Sequence, residues 1–311
     1  MIDHRKLIPA AAIVLALSPV TGALAHTPYL LPNGFDVEGA RVTLIGAMTE
    51  DDYFTPDGAL NVPAYVETSP TGEQVEIKPT ATLKDLAVTE AAIVAPGTYR
   101  FSTGQYVART TTFVNVDGRW LLVRMPRMRP MGEGGGPPRP PQGEAGGPPA
   151  GAPREGGPPR GGDGPPNSIA QADAPPGAPS MQVDSVTVSE TYVTKGAPTD
   201  TALAVTGHGF ELKPITHPNA VYVDQGFAFQ LLVDGKPVSD AQVSVYRSGN
   251  IYDDRRIAAE ARTDAKGMGK IAFSQPGVYL LTTHTPVAAP KPGEPPAAHS
   301  YTYSLTFEVT R

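Results

Sequence analysis

The sequence predicts an all-β protein built from two antiparallel β-sandwich domains that are joined by a long disordered linker. In both halves, short apolar runs rich in β-branched and aromatic residues alternate with turn signals, and no segment has a convincing helical period. Between the halves, over residues 130–180, Gly and Pro make up more than half of the sequence. The chain has 0 cysteines, so packing rather than disulfide bonds must stabilise each domain.

Residues 1–25 are typical of a secretory signal peptide. Arg5 and Lys6 precede a largely apolar run, which ends in the small-residue pattern Ala-Leu-Ala that signal peptidase cuts. This run is too short for a membrane anchor, and no other run in the sequence could span a bilayer. We therefore expect cleavage after Ala25, a periplasmic location, no membrane span in the mature chain, and His26 as its first residue.

The first predicted domain covers residues 26–129. Asp117-Gly118 lies between its last two predicted strands, where glycine supplies the positive φ of a tight hairpin turn. The runs that read as strands are 41–47, 64–67, 75–77, 97–102, 110–116 and 120–124. These short strands predict the N-terminal sandwich.

Residues 130–180 form the predicted linker. The segment offers few apolar side chains, so little burial can offset the entropy of ordering it. Arginine and glutamate are scattered through it, and we assign it no chemistry. Its PPRPP run also fits a ligand of proline-recognition domains.

The second predicted domain covers residues 181–311, where apolar and polar residues alternate with a period of two. The predicted strands are 221–223, 227–233, 241–246, 260–263, 269–273, 277–283 and 300–309. Turn signals separate them at regular spacing, which is typical of an antiparallel sandwich, either Ig-like or prealbumin-like. Residues 227–283, with a TDxxG turn and a PGxYxL strand, resemble the prealbumin-like or carboxypeptidase-regulatory-like sandwich. That resemblance implies a fold and not an activity.

The charge of the chain argues against nucleic acid as a partner. The formal net charge is -6, and removing a signal peptide that carries Asp3, Arg5 and Lys6 leaves -7. A negative surface repels phosphate backbones.

Three histidines are the candidate metal ligands. A mature terminus at His26 offers its α-amine and its imidazole to one ion, whose charge lowers the proton affinity of the amine. His208 lies between two glycines that let another group approach the ring, and His284 ends a predicted strand, from which it can turn toward a neighbouring loop. Nitrogen ligands of this kind suit nickel, cobalt or copper. We therefore predict a divalent transition metal as the cofactor.

Each of these histidines also has a structural interpretation. His26 can fray in solvent, and His208 and His284 can serve packing alone. Glu211 follows His208 by three residues, a spacing that puts two side chains of an extended strand on opposite faces, so we expect Glu211 outside the site. His217 precedes a proline, and we expect its imidazole to bond a loop carbonyl rather than a metal. His299 follows a proline-rich loop and is expected to be exposed.

Several motifs together resemble one bacterial family. They are Ala-His-x-Pro-Tyr-Leu-Leu-Pro at residues 25–32, GHGFELKP at 207–214, LVDGKP at 232–237, the TD and Gly at 263–267, and PGVY at 276–279. The likeness covers nearly the whole mature chain except the linker. It is to a domain-of-unknown-function family that is described as NikM-like and associated with nickel or cobalt uptake. It implies a periplasmic, metal-related protein that accompanies a membrane uptake system, with its two histidine positions at His26 and His208.

The sequence therefore predicts a non-catalytic periplasmic protein that binds a transition metal and is accessory to nickel or cobalt uptake. Two alternatives stay open. One is a sandwich module that binds a protein or a glycan without metal. The other is a copper oxidoreductase, in which the terminal histidine and a second histidine form a histidine brace. Hydrolytic mechanisms are not favoured, because the sequence has no nucleophile elbow, HExxH motif or phosphate-binding loop.

Overall fold

The structure is a computed structural model that describes residues 27–50, 54–124, 167–249, 256–286, 291 and 293–311. Strands dominate these residues, and two short 3₁₀ helices cover Gln171–Asp173 and Thr201–Leu203. The all-β prediction is confirmed. Among the described residues, no helix has the length and apolar character needed to cross a membrane.

The strands follow one another along the chain with short connections. Those of the first half are β1 (Thr27–Pro32), β2 (Arg41–Thr49), β3 (Gly58–Ala59), β4 (Tyr65–Thr68), β5 (Gln74–Ile77), β6 (Ala81–Thr82), β7 (Ala87–Ala92), β8 (Gly97–Ser102), β9 (Tyr106–Val116) and β10 (Arg119–Arg124). The later ones are β11 (Ser168–Ala170), β12 (Ser180–Lys195), β13 (Phe210–Pro214), β14 (Val221–Tyr222), β15 (Phe227–Val233), β16 (Lys236–Pro237), β17 (Gln242–Arg247), β18 (Ile257–Arg262), β19 (Met268–Ile271), β20 (Gly277–Thr285) and β21 (His299–Thr310).

These strands form three sheets. The central sheet has 12 strands, with the path β11-β10-β9-β12-β21-β20-β17-β18, and β4, β5, β8 and β14 pair beside this path. The N-terminal sheet has 5 strands in the order β1-β2-β7-β6, with β3 beside β2. The C-terminal sheet has 4 strands in the order β13-β15-β16, with β19 beside β15.

The two smaller sheets pack on opposite faces of the central sheet. Tyr192 and Val193 are neighbours on β12, so their side chains point to opposite faces. Val193 belongs to the core shared with the N-terminal sheet, where it packs near Leu30 and Val42. Tyr192 belongs to the core shared with the C-terminal sheet, near Phe229. The protein is therefore layered, with the central sheet common to both halves of the chain.

Strand β12 joins the two halves. It pairs antiparallel with β9 and then with β8, and on its other side it pairs in parallel with β21.

Residues 167–180 were expected within the disordered linker, and for them this expectation is wrong. Strand β11 adds in parallel to β10, and the Leu122 amide donates to the Asn167 carbonyl at 3.0 Å, so a backbone ladder orders a segment with few apolar side chains. The rest of the predicted linker lies outside the described residues.

The glycine of the TDxxG turn, Gly267, gives a direct test of how tightly the backbone packs in the second half of the chain. Gly267 has φ +71°, and a Cβ atom there would lie 2.6 Å from the Leu231 carbonyl oxygen. Gly196 has nearly the same φ, +72°, but open space around it. Both substitutions to alanine carry the left-handed strain of about 1–2 kcal/mol, and Gly267→Ala adds a steric clash. We expect urea unfolding to show Gly267→Ala less stable than Gly196→Ala by about 1–3 kcal/mol. Equal losses would contradict the close approach.

Candidate functional site

Two of the three predicted metal ligands, His208 and His284, lie in the part of the chain that the structure describes. His26 lies outside it, as do the predicted signal peptide and its cleavage site. Among the described residues, no group of three or more His, Asp, Glu or Cys side chains is arranged to hold a metal ion.

His284 lies near the end of β20 with its side chain exposed. It stands opposite Thr302 of β21, and its Nδ1 is 3.1 Å from the Thr302 hydroxyl oxygen. This hydrogen bond orients the ring, and Nε2 is the nitrogen that faces away from it. Although the residue is exposed as a whole, the protein packed around its imidazole partly desolvates the ring and so lowers the pKa of His284. A lowered pKa favours the neutral imidazole that metal binding requires.

Strand β1 lies on the same face of the central sheet as His284. Residues opposite one another in a sheet share a face, as do alternate residues along a strand. Leu280 stands opposite Thr306 and His284 opposite Thr302, so these four side chains share one face. On that face, the Thr306 hydroxyl donates to the carbonyl oxygen of Leu30 in β1. Strand β1 therefore covers the face to which His284 belongs.

The direction of β1 on this face follows from its two ends. Pro32, its last residue, lines a groove together with Val278 and Glu308. Tyr29, closer to its start, packs with Leu280, two residues further along β20. On this face, β1 and β20 therefore run in opposite directions. Thr27, the first residue of β1, is therefore at the end of the strand nearer His284.

Buried hydroxyl groups cover the central sheet between β1 and His284. The Ser304 hydroxyl donates to the Ser189 hydroxyl at 2.9 Å, and both side chains are almost fully buried. Thr187 and Thr282 occupy the same face and are also buried. Because a hydroxyl group both donates and accepts, Ser304 and Ser189 satisfy one another without a buried charge. This part of the face is polar and neutral.

His208 is at the exposed tip of a tightly anchored loop, which we call the histidine loop (residues 206–209). Gly207 and Gly209, on either side of His208, adopt positive φ values of 79° and 65°. The Glu211 carboxylate accepts hydrogen bonds from the Thr206 amide at 2.6 Å, from its hydroxyl at 2.9 Å and from the Gly207 amide at 2.8 Å. Glu211 therefore anchors the loop through three hydrogen bonds.

Two further side chains fix the histidine loop from outside. The Gln105 side-chain amide donates to the Phe210 carbonyl at 3.1 Å and accepts from the Phe210 amide at 3.2 Å. The Asp234 carboxylate accepts from the Gly209 amide at 2.9 Å. These bonds hold the backbone on both sides of His208, so its imidazole projects into solvent from a rigid loop.

The structure does not bring His208 and His284 together. Phe210, which follows the histidine loop, packs its ring on Tyr301 at 5.9 Å and on Tyr303 at 5.7 Å. Tyr301 and Tyr303 point to the face of β21 opposite that of Thr302, the partner of His284. The histidine loop and His284 therefore lie on opposite sides of the central sheet.

The two other histidines among the described residues have the structural positions that the sequence predicts. His217 is partly buried, and its Nε2 is 3.3 Å from the Thr199 carbonyl oxygen, which confirms the predicted bond to a loop carbonyl. His299 is exposed at the start of β21, as predicted, and its ring lies 5.9 Å from that of Tyr301.

A family profile described as Domain of unknown function (DUF4198) matches residues 23–286. The chain belongs to the DUF4198 family. No curated protein matches the sequence. The matched range contains position 26, the histidine loop and His284, while β21 lies beyond its end.

This DUF4198 chain also contains a buried polar network that the sequence analysis missed. The Tyr303 hydroxyl donates at 2.7 Å to the carboxylate of Glu190, whose side chain is 8% exposed. Burial first, and then this carboxylate, raise the pKa of Tyr303. Burial, the largest single influence, lowers the pKa of Arg100, but Glu190, Tyr192 and Tyr303 together outweigh it and leave that pKa raised. Arg100 in turn donates to the Ala204 carbonyl at 3.1 Å, just before the histidine loop.

Proposed function

We propose that the mature protein is an exported, non-catalytic protein that binds a divalent transition metal and is accessory to a membrane metal-uptake system. In this proposal His26, through its α-amine and imidazole, and His284, through Nε2, bind one nickel, cobalt or copper ion. The supporting observation is the placement of β1. It begins directly after His26, lies on the same face of the central sheet as His284, and has its first residue at the nearer end.

Three nitrogen donors from two residues suit these ions. A chelate from one residue adds the second donor at little further entropic cost, because the first bond has already brought it close. Imidazole and amine nitrogens are typical ligands of nickel and copper in proteins. The hydroxyl groups between β1 and His284 carry no charge, so in this proposal solvent and exchangeable ligands balance the charge of the ion.

His208 has a different place in the proposal. Because it lies across the central sheet from His284, it does not share the same ion. We propose that it is a ligand at a second, exposed position, where the other donors come from the uptake partner. Its anchored loop supports this assignment, since a rigid loop loses less conformational entropy when a partner binds.

The finer fold assignment is also part of the proposal. We propose that the C-terminal sheet and β17, β18, β20 and β21 form a prealbumin-like sandwich. The TDxxG turn supports it, because the Asp264 carboxylate accepts from the Lys266 amide at 2.8 Å and from the Met268 amide at 2.9 Å, which makes the motif a structural turn.

Calorimetry on the metal-free mature protein tests this function. We expect about one equivalent of Ni²⁺, Co²⁺ or Cu²⁺ to bind at pH 7.5, and much weaker binding at pH 5.5, because protons compete for the amine and the imidazoles. His299→Ala removes an exposed histidine outside the proposed site and serves as the control. No uptake of any of these ions would remove the proposal. Peroxide production by the copper-loaded protein would favour the oxidoreductase instead.

A further inference from the structure

The imidazole of His217 connects the two halves of the chain. Its Nε2 lies 3.1 Å from the hydroxyl of Thr98 on β8 and 3.3 Å from the Thr199 carbonyl oxygen. The Thr98 hydroxyl is also 2.9 Å from the hydroxyl of Thr194 on β12. The ring therefore bonds the first half of the chain directly.

The other ring nitrogen bonds Asn219, which makes a second connection between the two halves of the chain. Nδ1 accepts a hydrogen bond from the backbone amide of Asn219 at 3.1 Å. The side-chain amide of Asn219 then donates to the carbonyl oxygens of Phe35 and Tyr192, each at 3.0 Å. Asn219 thus ties the segment that follows β1 to the central sheet.

That segment is held to β12 by backbone bonds as well. The Thr194 amide donates to the Phe35 carbonyl at 2.8 Å, and the Val37 amide donates to the Thr194 carbonyl at 2.9 Å. Asp36, between them, forms an isolated parallel bridge with Thr194. In the described residues the segment forms no longer ladder here, so few hydrogen bonds, together with the burial of Phe35, attach it.

These contacts fit only the neutral imidazole. Because the Asn219 amide is a donor, Nδ1 must carry a lone pair, and the single ring proton must be on Nε2, facing the Thr98 hydroxyl and the Thr199 carbonyl. Protonation would put a second N–H on Nδ1, directly opposite the Asn219 N–H. The bond would then become a repulsive contact between two donors.

We propose that His217 is a pH-sensitive latch, whose protonation releases Asn219 and loosens residues 35–37 from β12. The inference goes beyond metal binding and does not depend on it. Its only link to the proposed function is that the loosened segment follows β1, the strand that begins after His26.

The polar and charged groups that face the ring oppose the effect of burial on the pKa of His217. Burial is the larger influence and lowers the pKa of His217, while the Thr199 carbonyl and the carboxylate of Asp200 raise it, with a net lowering. Asp36 is exposed on the latched segment, and Lys195, next to Thr194, donates to the Ile93 carbonyl at 3.1 Å. A lowered pKa means that the latch is fully stabilising above the ordinary histidine pKa of about 6.5 and weakens as the pH falls below it.

Hydrogen exchange on the metal-free mature protein tests the latch. After correction for intrinsic rates, protection of the Val37 and Thr194 amides should fall with decreasing pH between 7.5 and 5, by up to about tenfold per pH unit. In His217→Asn, whose side chain cannot take a proton, protection should not depend on pH. His299→Asn, the matched control, should behave as the wild type. Equal pH dependence in His217→Asn and the wild type would overturn the proposal.

A second measurement on the wild type covers the case in which His217→Asn does not fold. In an NMR titration, the His217 ring and the side-chain amide of Asn219 should shift with one midpoint, below the ordinary histidine pKa. Titration of the ring with no change at Asn219 would overturn the latch. Because no metal is present in either experiment, failure of the latch is distinct from failure of the proposed function.

Discussion

Replacing His26 by alanine in the mature protein should lower its affinity for Ni²⁺ or Cu²⁺ by more than about a hundredfold. Removal of a group that merely orients a metal ligand costs about 10–100-fold, and His26→Ala removes a ligand itself, along with the chelate ring. Competition against a chelator of known affinity measures the change. His284→Ala should also weaken binding, but less, because the amine and imidazole of His26 remain.

A second variant separates the amine from the imidazole. One extra glycine before His26 keeps the imidazole but moves the free α-amine to another residue, so we expect most of the affinity to be lost. His299→Ala should bind metal as the wild type does. Unchanged affinity in His26→Ala would contradict the assigned ligand.

Replacing Arg100 by methionine should destabilise the fold by about 1–3 kcal/mol, the usual cost of leaving buried polar groups without a partner. The buried carboxylate of Glu190 would keep the hydrogen bond from Tyr303 but lose a nearby positive charge, and the Ala204 carbonyl before the histidine loop would lose its donor. Urea unfolding at neutral pH measures the loss.

The double variant Arg100→Met with Glu190→Leu is the matched control. It removes both charges, so we expect it to be more stable than Arg100→Met alone. A loss below about 1 kcal/mol in Arg100→Met would be the range of an exposed ion pair. That result would contradict the importance of this network.

The strands that alternate cleanly were predictable. The predicted run 227–233 coincides with β15, because one face packs on aromatic residues and the other, apart from the buried Leu232, is only partly covered. The hairpin between β9 and β10 was also predictable, since Asp117 and Gly118 both take positive φ, 50° and 77°. In these places, the local pattern and the tertiary environment agree.

Two strands that position the site were missed. Strand β1 contains Pro28 and Pro32, which argue against a strand unless it is at an edge, and β1 is the edge of its sheet. In β12, Ser189 and Thr191 are buried although they are polar, because their hydroxyl groups bond neighbouring strands. A pattern of apolar and polar residues cannot show which hydroxyl groups find partners.

The candidate site was predictable only residue by residue. The sequence singles out His208 and His284, but their separation depends on the face that each residue of β21 presents, which only strand pairing decides. The partner hydroxyl of Thr302 and the network around Glu190 gave no sequence signal either, because their members are far apart in the chain. The bond from His217 to a loop carbonyl was predictable, since the following proline restricts the loop.

Native mass spectrometry of the exported protein, prepared without chelator and then mixed with one equivalent of Ni²⁺ or Cu²⁺, tests the central claim most directly. One spectrum gives both the first residue and the bound ion. We predict the mass of a chain that begins at His26 and carries one metal ion, and the loss of that ion in the variant with an added N-terminal glycine. A chain that begins elsewhere, or one that begins at His26 and carries no metal, would contradict it.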